Sequence, residues 1–270
     1  MKIAIFSLLL GSCLCSLIPP GRQTAIASTK SARVVGGDEA EPHSAPYIVS
    51  FRELDEHICA GAIVNKRWIV SAAHCFLFVG RVTAVAGIHS IDDEGQRRQV
   101  ENYVTHKNYS GSLGPFDIAA VKVLDDFVFN EFVQPISLPT PKIIPSGDVT
   151  VFGWGSTSTG NGLEMPEVLH KFSPPIISYD ECLESLADLE KDKLRETNIC
   201  TGPLTGGFGS CVRDSGGPLV QKNSRGTVEL LGIVSWGYYP CGTEGRPSVY
   251  TRVSAYNEWI EEFVFMWRGA

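Results

Sequence analysis

The chain is short of positive charge. Residues 1–33 hold Lys2, Arg22, Lys30 and Arg33 and no acid, so 19 of the 23 basic residues remain beyond them against all 30 acids, a formal net charge of −11. That balance argues against nucleic acid as a partner. There is no Cys-x-x-Cys pair and no close cluster of cysteine with histidine, which speaks against a zinc site. No apolar run is long enough to span a bilayer comfortably. Internal repeats, low-complexity tracts and interdomain linkers are missing, and helical periodicity is scarce. What the sequence does have is a hydrophobic content of 43% over 270 residues, ample for a core in one large β domain or two smaller units.

The first residues form an export signal by pattern. Lys2 leads into the apolar run Ile3 to Leu10, which extends patchily to Ile18 and stops at Pro19-Pro20-Gly21. Small residues suited to cleavage occur at Cys13-Leu14-Cys15 and at Ala25-Ile26-Ala27, so the signal is assigned to 1–16, with 27 as the other end point. Its removal takes away Cys13 and Cys15. Six cysteines are left, Cys59, Cys75, Cys182, Cys200, Cys211 and Cys241. An even set in an exported protein predicts three disulfides, among about 15 pairings that sequence spacing alone leaves open.

Beyond the leader the chain reads as many short strands. Ala45 to Phe51, Ile58 to Val64, Trp68 to Ala72, Val82 to Ala86, Ile118 to Val123, Val149 to Trp154, Leu230 to Trp236 and Val249 to Val253 are apolar or β-branched runs, mostly separated by Gly, Pro, Asn or Asp. That pattern favours an antiparallel sandwich or a pair of barrels over βαβ units. Two helices stand out. Ser178 with Glu181 forms a capping box ahead of Cys182, Leu183, Leu186 and Leu189, and Ser254 is placed to cap a helix striped by Tyr256, Trp259, Ile260, Phe263 and Val264.

The chemistry converges on Gly209 to Val220, GSCVRDSGGPLV. Here Ser215 sits between an aspartate and two glycines, ahead of an apolar strand. Alone, a DSGG turn is a solvated loop. A serine nucleophile needs a base within hydrogen-bond reach, itself oriented by a carboxylate. Of six histidines, His74 is distinctive, because WIVSAAHC places it at the end of a buried strand beside a cysteine that can anchor it; the other five read as surface or structural. Asp117 opens DIAAVKV, a carboxylate at the head of an apolar strand, where burial would demand a partner.

Taken together, VVGG at 34, SAAHC at 71, DIAAVKV at 117, CVRDSGGPLV at 211 and VSWG at 234 resemble the chymotrypsin-type serine endopeptidases, over a span from Val34 to the C-terminal helix. The resemblance implies an all-β fold of two six-stranded antiparallel β-barrels, with the active site in the cleft between them and a C-terminal α-helix. It implies Ser215 as nucleophile, His74 as general base and then acid, and Asp117 as the orienting carboxylate. The N–H groups of Arg213 and Ser215 would form the oxyanion hole. Gly209, Ser210, Ser235, Trp236, Gly237 and Ser248 would form the substrate-binding pocket, with Ser235 also holding Asp117. The disulfides would pair Cys59 with Cys75, Cys182 with Cys200 and Cys211 with Cys241. No metal or other cofactor is expected; where the family's calcium loop has a carboxylate just after Gly87, this chain has Ile88.

The resemblance also implies a zymogen, with residues 17–33 as activation propeptide and 34–270 as the peptidase domain. Cutting after Arg33 by a trypsin-like enzyme would free the Val34 amine to pair with Asp214. Two departures or gaps shape specificity. Arg213 stands where glycine is usual in the oxyanion loop, and should weaken binding of protein inhibitors. No carboxylate occupies the pocket base at Gly209, so large apolar side chains are expected before the scissile bond. The expected protein is a secreted, monomeric, chymotrypsin-like enzyme acting on proteins and peptides. No membrane attachment is expected, and the role is digestive because no accessory domain precedes the catalytic one. The alternative is a catalytically weakened homologue that acts as a binding protein. Finally, Asn108-Tyr109-Ser110 matches the acceptor pattern for N-glycosylation.

Overall fold

Near-continuous apolar or β-branched runs set most of the strands, and their ends set the site. The computed structural model describes residues 37–158 and 160–264. In chain order the strands are β1 (Asp38–Glu39), β2 (Ile48–Glu53), β3 (Glu56–Ile63), β4 (Trp68–Ser71), β5 (Val82–Ala86), β6 (Gln96–Thr105), β7 (Ala119–Val123), β8 (Thr150–Gly153), β9 (His170–Phe172), β10 (Ile176–Ile177), β11 (Asn198–Thr201), β12 (Pro218–Lys222), β13 (Val228–Trp236) and β14 (Ser248–Arg252). Three helices complete it: α1 (Tyr179–Ser185), α2 (Asp188–Lys191) and α3 (Asn257–Val264).

The first six-stranded unit is a closed antiparallel barrel in the order β2-β3-β4-β7-β6-β5. Closure leaves no unpaired edge. Its interior is filled by Phe51, Ile63, Ile69, Val85 and Val121, all fully buried. The remaining strands form an eight-stranded sheet ordered β1-β9-β8-β12-β13-β14-β11-β10. It is the second barrel-like sheet expected, a half-barrel where the first is closed. Its six central strands are flanked by β1 and β10, each only two residues long, and the sheet stays open between them. One apolar cluster runs from the closed barrel through Phe152, Trp154, Leu230 and Ile233, so the two sheets share a core.

Some elements went unread in the sequence. Strand β6, QRRQVENYVT, is polar at seven of its ten positions, yet it pairs with both β5 and β7. Its backbone is satisfied by the ladder while none of its side chains is fully buried, so hydrophobicity carries little signal. The turn Leu54-Asp55 joins β2 to β3 with both residues at positive φ, +51° and +64°. That is the two-residue hairpin geometry usually marked by Asn-Gly; neither residue advertises it here.

The helix expectations are partly corrected. Ser178 does cap α1, its Oγ accepting the Glu181 N–H at 3.2 Å. The helix then stops at Ser185, because Leu186 turns to an extended backbone before α2 begins. At the C-terminus Ser254 is not a cap. It lies in a short 3₁₀ turn and donates its hydroxyl to the Ile143 carbonyl at 2.6 Å, while α3 begins three residues later. The apolar stripe is nevertheless present, with Tyr256, Ile260 and Val264 buried and Trp259 and Phe263 packed against them.

The candidate active site

Four strand ends deliver the site. Strand β4 finishes at Ser71 and runs into the single turn Ala73–Phe76, which carries His74. Cys75 in that turn is bonded to Cys59 of β3, with Cα atoms 6.2 Å apart, tying the turn to the barrel wall. Asp117 stands just ahead of β7, Ser215 just ahead of β12, and Ser235 near the end of β13. Two further disulfides join Cys182 to Cys200 and Cys211 to Cys241. Among the described residues, Cys59, His74 and Cys75 alone lie close enough to suggest a metal site, and both sulfurs are already in the disulfide.

Asp117 is buried and fully engaged. Its carboxylate accepts the His74 backbone N–H at 2.9 Å, the His74 Nδ1–H at 2.8 Å and the Ser235 hydroxyl at 2.6 Å. Its carbonyl accepts the Thr251 hydroxyl at 2.7 Å. With the carboxylate on Nδ1, that nitrogen is the protonated one and Nε2 is left as a base. Ser215 is held through its backbone: its carbonyl accepts the Ala60 N–H at 2.8 Å, and the next N–H, of Gly216, reaches the Val234 carbonyl at 2.9 Å. Only glycine fits at 216, since φ is +77° and a Cβ would collide with the Ser71 hydroxyl and the Ala60 carbonyl.

His74, Asp117 and Ser215 line one cavity of about 570 Å³. Among the described residues no hydrogen bond joins Ser215 to His74, a contact that in such sites tightens when substrate binds. Of the expected pocket residues, Ser210, Ser235, Trp236 and Gly237 line the cavity. Gly209 and Ser248 do not. Both are buried behind Ser210, whose N–H donates to the Ser248 Oγ at 3.1 Å. At Gly237 an added Cβ would meet only ordinary contacts, the nearest at 3.8 Å, so the entrance has room. The acid lining the cavity is Asp117, and it is already bonded to His74. Sequence reasoning missed the other wall, Leu77, Tyr109 and Leu113 on one side and Tyr238 and Tyr239 on the other; loop residues distant in sequence carry no local signal that they share a rim.

The loop before Ser215 has its own supports. Arg213 has φ +75°, the left-handed region that non-glycine residues occupy at a cost of about 1–2 kcal/mol. Its guanidinium lies 3.8 Å from Glu56 at the start of β3, and the side chain does not line the cavity. Its carbonyl accepts the His57 Nε2–H at 3.0 Å, and the Ser50 hydroxyl meets His57 Nδ1 at 2.8 Å. Burial lowers the His57 pKa to about 4, so the ring is neutral. A register shift in the β2–β3 ladder between Cys59 and His57 breaks the alternation there and turns His57 to the face of Ser50 and Arg52, which no local pattern in the sequence announces. Among the described residues the N–H groups of Arg213 and Ser215 meet no partner.

Asp214 is the second buried acid. It accepts the Gly155 N–H at 2.8 Å and the Cys211 N–H at 2.8 Å. A Cβ at Gly155 would run into the carboxylate itself, which is why the turn after β8 needs glycine there. Burial raises the Asp214 pKa to about 6, against which those two N–H groups act only in part. Arg33 and Val34, the expected activation residues, lie outside the described residues.

A family model described as Trypsin matches residues 34–260. The chain is 38% identical over 247 residues to Lectizyme of Glossina austeni, with 87% of each sequence covered. It is 36% identical over 240 residues to Trypsin-2 of Salmo salar, covering 87% of this chain and 97% of that one. To Anionic trypsin of Canis lupus familiaris it is 34% identical over 247 residues, covering 90% and 94%.

Proposed function

From the premise that this chain belongs to the trypsin family and is a serine endopeptidase, we propose that it cleaves through an acyl-enzyme formed on Ser215. The observation that carries this reading is the engaged Asp117–His74 pair opening onto the cavity that Ser215 also lines. Ser215 Oγ attacks the scissile carbonyl carbon as His74 Nε2 takes its proton. Asp117 keeps Nδ1 protonated and stabilises the imidazolium that forms. The developing oxyanion is met by the N–H groups of Arg213 and Ser215. His74 then gives its proton to the leaving amine, and water releases the acyl group by the same steps in reverse order. A fluorophosphonate probe tests it: labelling of the cleaved protein at Ser215, absent from Ser215→Ala, is expected. A cleaved, folded protein that hydrolyses peptides without taking the label overturns it.

The cavity supports a preference for large apolar side chains before the scissile bond. Ser210, Trp236 and Gly237 offer surface and room but no carboxylate, so a buried Lys or Arg would be left unpaired. Relatives named trypsin do not decide this residue. Profiling with a peptide library is expected to rank Phe, Tyr and Leu first; highest kcat/KM for Arg overturns the preference.

Activation by a trypsin-like cut between Arg33 and Val34 is part of the proposal. Its support is Asp214, a buried carboxylate bonded only by two backbone N–H groups among the described residues, which a freed amine would complete. Cleaved, active protein should begin with Val34. The leader at 1–16 and the disulfides support export into an oxidising compartment, and no helix among the described residues is long and apolar enough to cross a membrane.

The second reading, a weakened homologue that binds proteins, is favoured only by Arg213. Its side chain runs toward Glu56, away from the cavity, and its N–H is kept. That placement supports an intact oxyanion hole, and a charged group on the leaving-group side that hinders rigid protein inhibitors.

A further inference from the structure

Only one of the eight asparagines in the chain has Ser or Thr two residues on: Asn108, in Asn108-Tyr109-Ser110. It falls in the loop between β6 and β7. His106 opens that loop and stacks on Phe116 with ring centroids 4.8 Å apart, and edge-on against Tyr256 at 5.6 Å. From this anchor the chain makes a tight turn, with the Tyr109 N–H on the His106 carbonyl at 2.9 Å and the Asn108 N–H on His106 Nδ1 at 3.2 Å. The turn divides its residues. Tyr109 is half-buried and lines the active-site cavity, as Leu113 does further along, whereas Asn108 and Ser110 are exposed. The Asn108 side-chain amide has no hydrogen-bond partner among the described residues.

We propose that Asn108 is an N-glycosylation site, and that its glycan stands at the rim of the cleft and screens large folded substrates from the active site. The proposal rests on the export reading above, because the sugar is transferred only along the secretory route. In the transfer, Asn108 Nδ2 bonds to the anomeric carbon of an oligosaccharide carried on a lipid pyrophosphate. The carbon–oxygen bond to the pyrophosphate breaks, the lipid pyrophosphate leaves, and one amide proton is lost to base. Nothing is oxidised or reduced. An exposed turn with a free amide can enter the transferase, which an asparagine in a strand ladder cannot. Once attached, the glycan is bulky and hydrated, and it sits one residue from a cavity-lining side chain. A short peptide can thread past it. A folded protein must bring its own surface against the rim and loses contacts there.

The test expresses the full chain, with its own first 33 residues, in a eukaryotic secretory host. Intact mass is read before and after an amidase that releases N-glycans. The native chain and Ser110→Thr are expected in the medium, losing glycan mass on treatment; Asn108→Gln and Ser110→Ala are expected there without it. Export without any mass loss overturns the glycan and leaves the export reading standing. A chain retained in the cytosol overturns both. For the screening role, kcat/KM is compared before and after deglycosylation of the native protein, which needs no variant to fold. A rise of roughly threefold or more on a folded protein substrate, with a short peptide unchanged, is expected. An equal change on both, or none on either, overturns the screen.

Discussion

Asp117 and Asp214 are both buried carboxylates, and they are served very differently. Asp117 receives a ring N–H, a hydroxyl and a backbone N–H, two of them from side chains placed by separate strands. Asp214 receives two backbone N–H groups and nothing else among the described residues, and burial lifts its pKa to about 6. A buried acid is tolerable in proportion to its partners. Around Asp117 the partners are complete; Asp214 has no charged partner among the described residues, which fits the proposed role of a freed Val34 amine. On the proposed function, one acid serves the reaction and the other the activation switch.

The largest effects should come from breaking the first constellation. Ser215→Ala or His74→Ala is expected to lower kcat by on the order of 10⁴-fold or more, the loss general to triads whose members act as a unit. Asp117→Asn should lose a similar factor with the fold intact, because the amide favours the wrong tautomer of His74. Steady-state kinetics on the cleaved enzyme checks both. Retention of a tenth of the activity removes that residue from the mechanism.

The second constellation should show itself in stability and pH. Asp214, with its folded pKa raised to about 6, stabilises the uncleaved chain fully at low pH and loses that contribution as pH rises through about 6. His57, lowered to about 4, acts in the opposite sense: its contribution is present above the unfolded histidine value and is lost as pH falls through about 4. Each is worth about 3 kcal/mol, so the two nearly cancel between those limits in the native chain. Asp214→Asn should expose the His57 effect, with stability rising from pH 4 toward pH 6.5, and His57→Gln should expose the reverse slope. Melts across that range are the measurement. Cleavage after Arg33 should remove the Asp214 slope, since a paired amine favours the charged acid; an unchanged slope sinks the pairing.

The smallest effect is expected at Arg213, between the two constellations. Arg213→Gly relieves a left-handed arginine and removes its charge without touching the N–H groups of the loop. On small peptides kcat should move by less than about threefold, while a rigid protein inhibitor should bind more tightly by roughly tenfold or more. A large rise in kcat would mean instead that the native arginine distorts the oxyanion hole.

How much of this was legible in the chain depends on whether the signal is local. Eight strands were readable because they are buried along almost their whole length and so appear as near-continuous apolar or β-branched runs, with ends displaced by up to three residues. The polar β6 and the Leu54-Asp55 turn were not, because their conformation is imposed by neighbours. Ser254 looked like a cap from its place before α3, but a carbonyl from residue 143 took its hydroxyl. His57 looked like one polar residue among others until burial paired it with Ser50 and Arg213.

The sequence by itself determined the all-β class and the serine endopeptidase family, since both rest on short motifs and periodicities that the chain carries wherever it folds. It also marked Ser215, His74 and Asp117 as candidates. Only the tertiary structure decided that His74 and Asp117, 43 residues apart, share two hydrogen bonds, that Asp214 has only two backbone N–H partners among the described residues, and that Gly209 and Ser248 are buried off the cavity lining. The reason is physical: a motif records which group is present, whereas pKa, strain and reach depend on what other strands bring within a few ångströms of it.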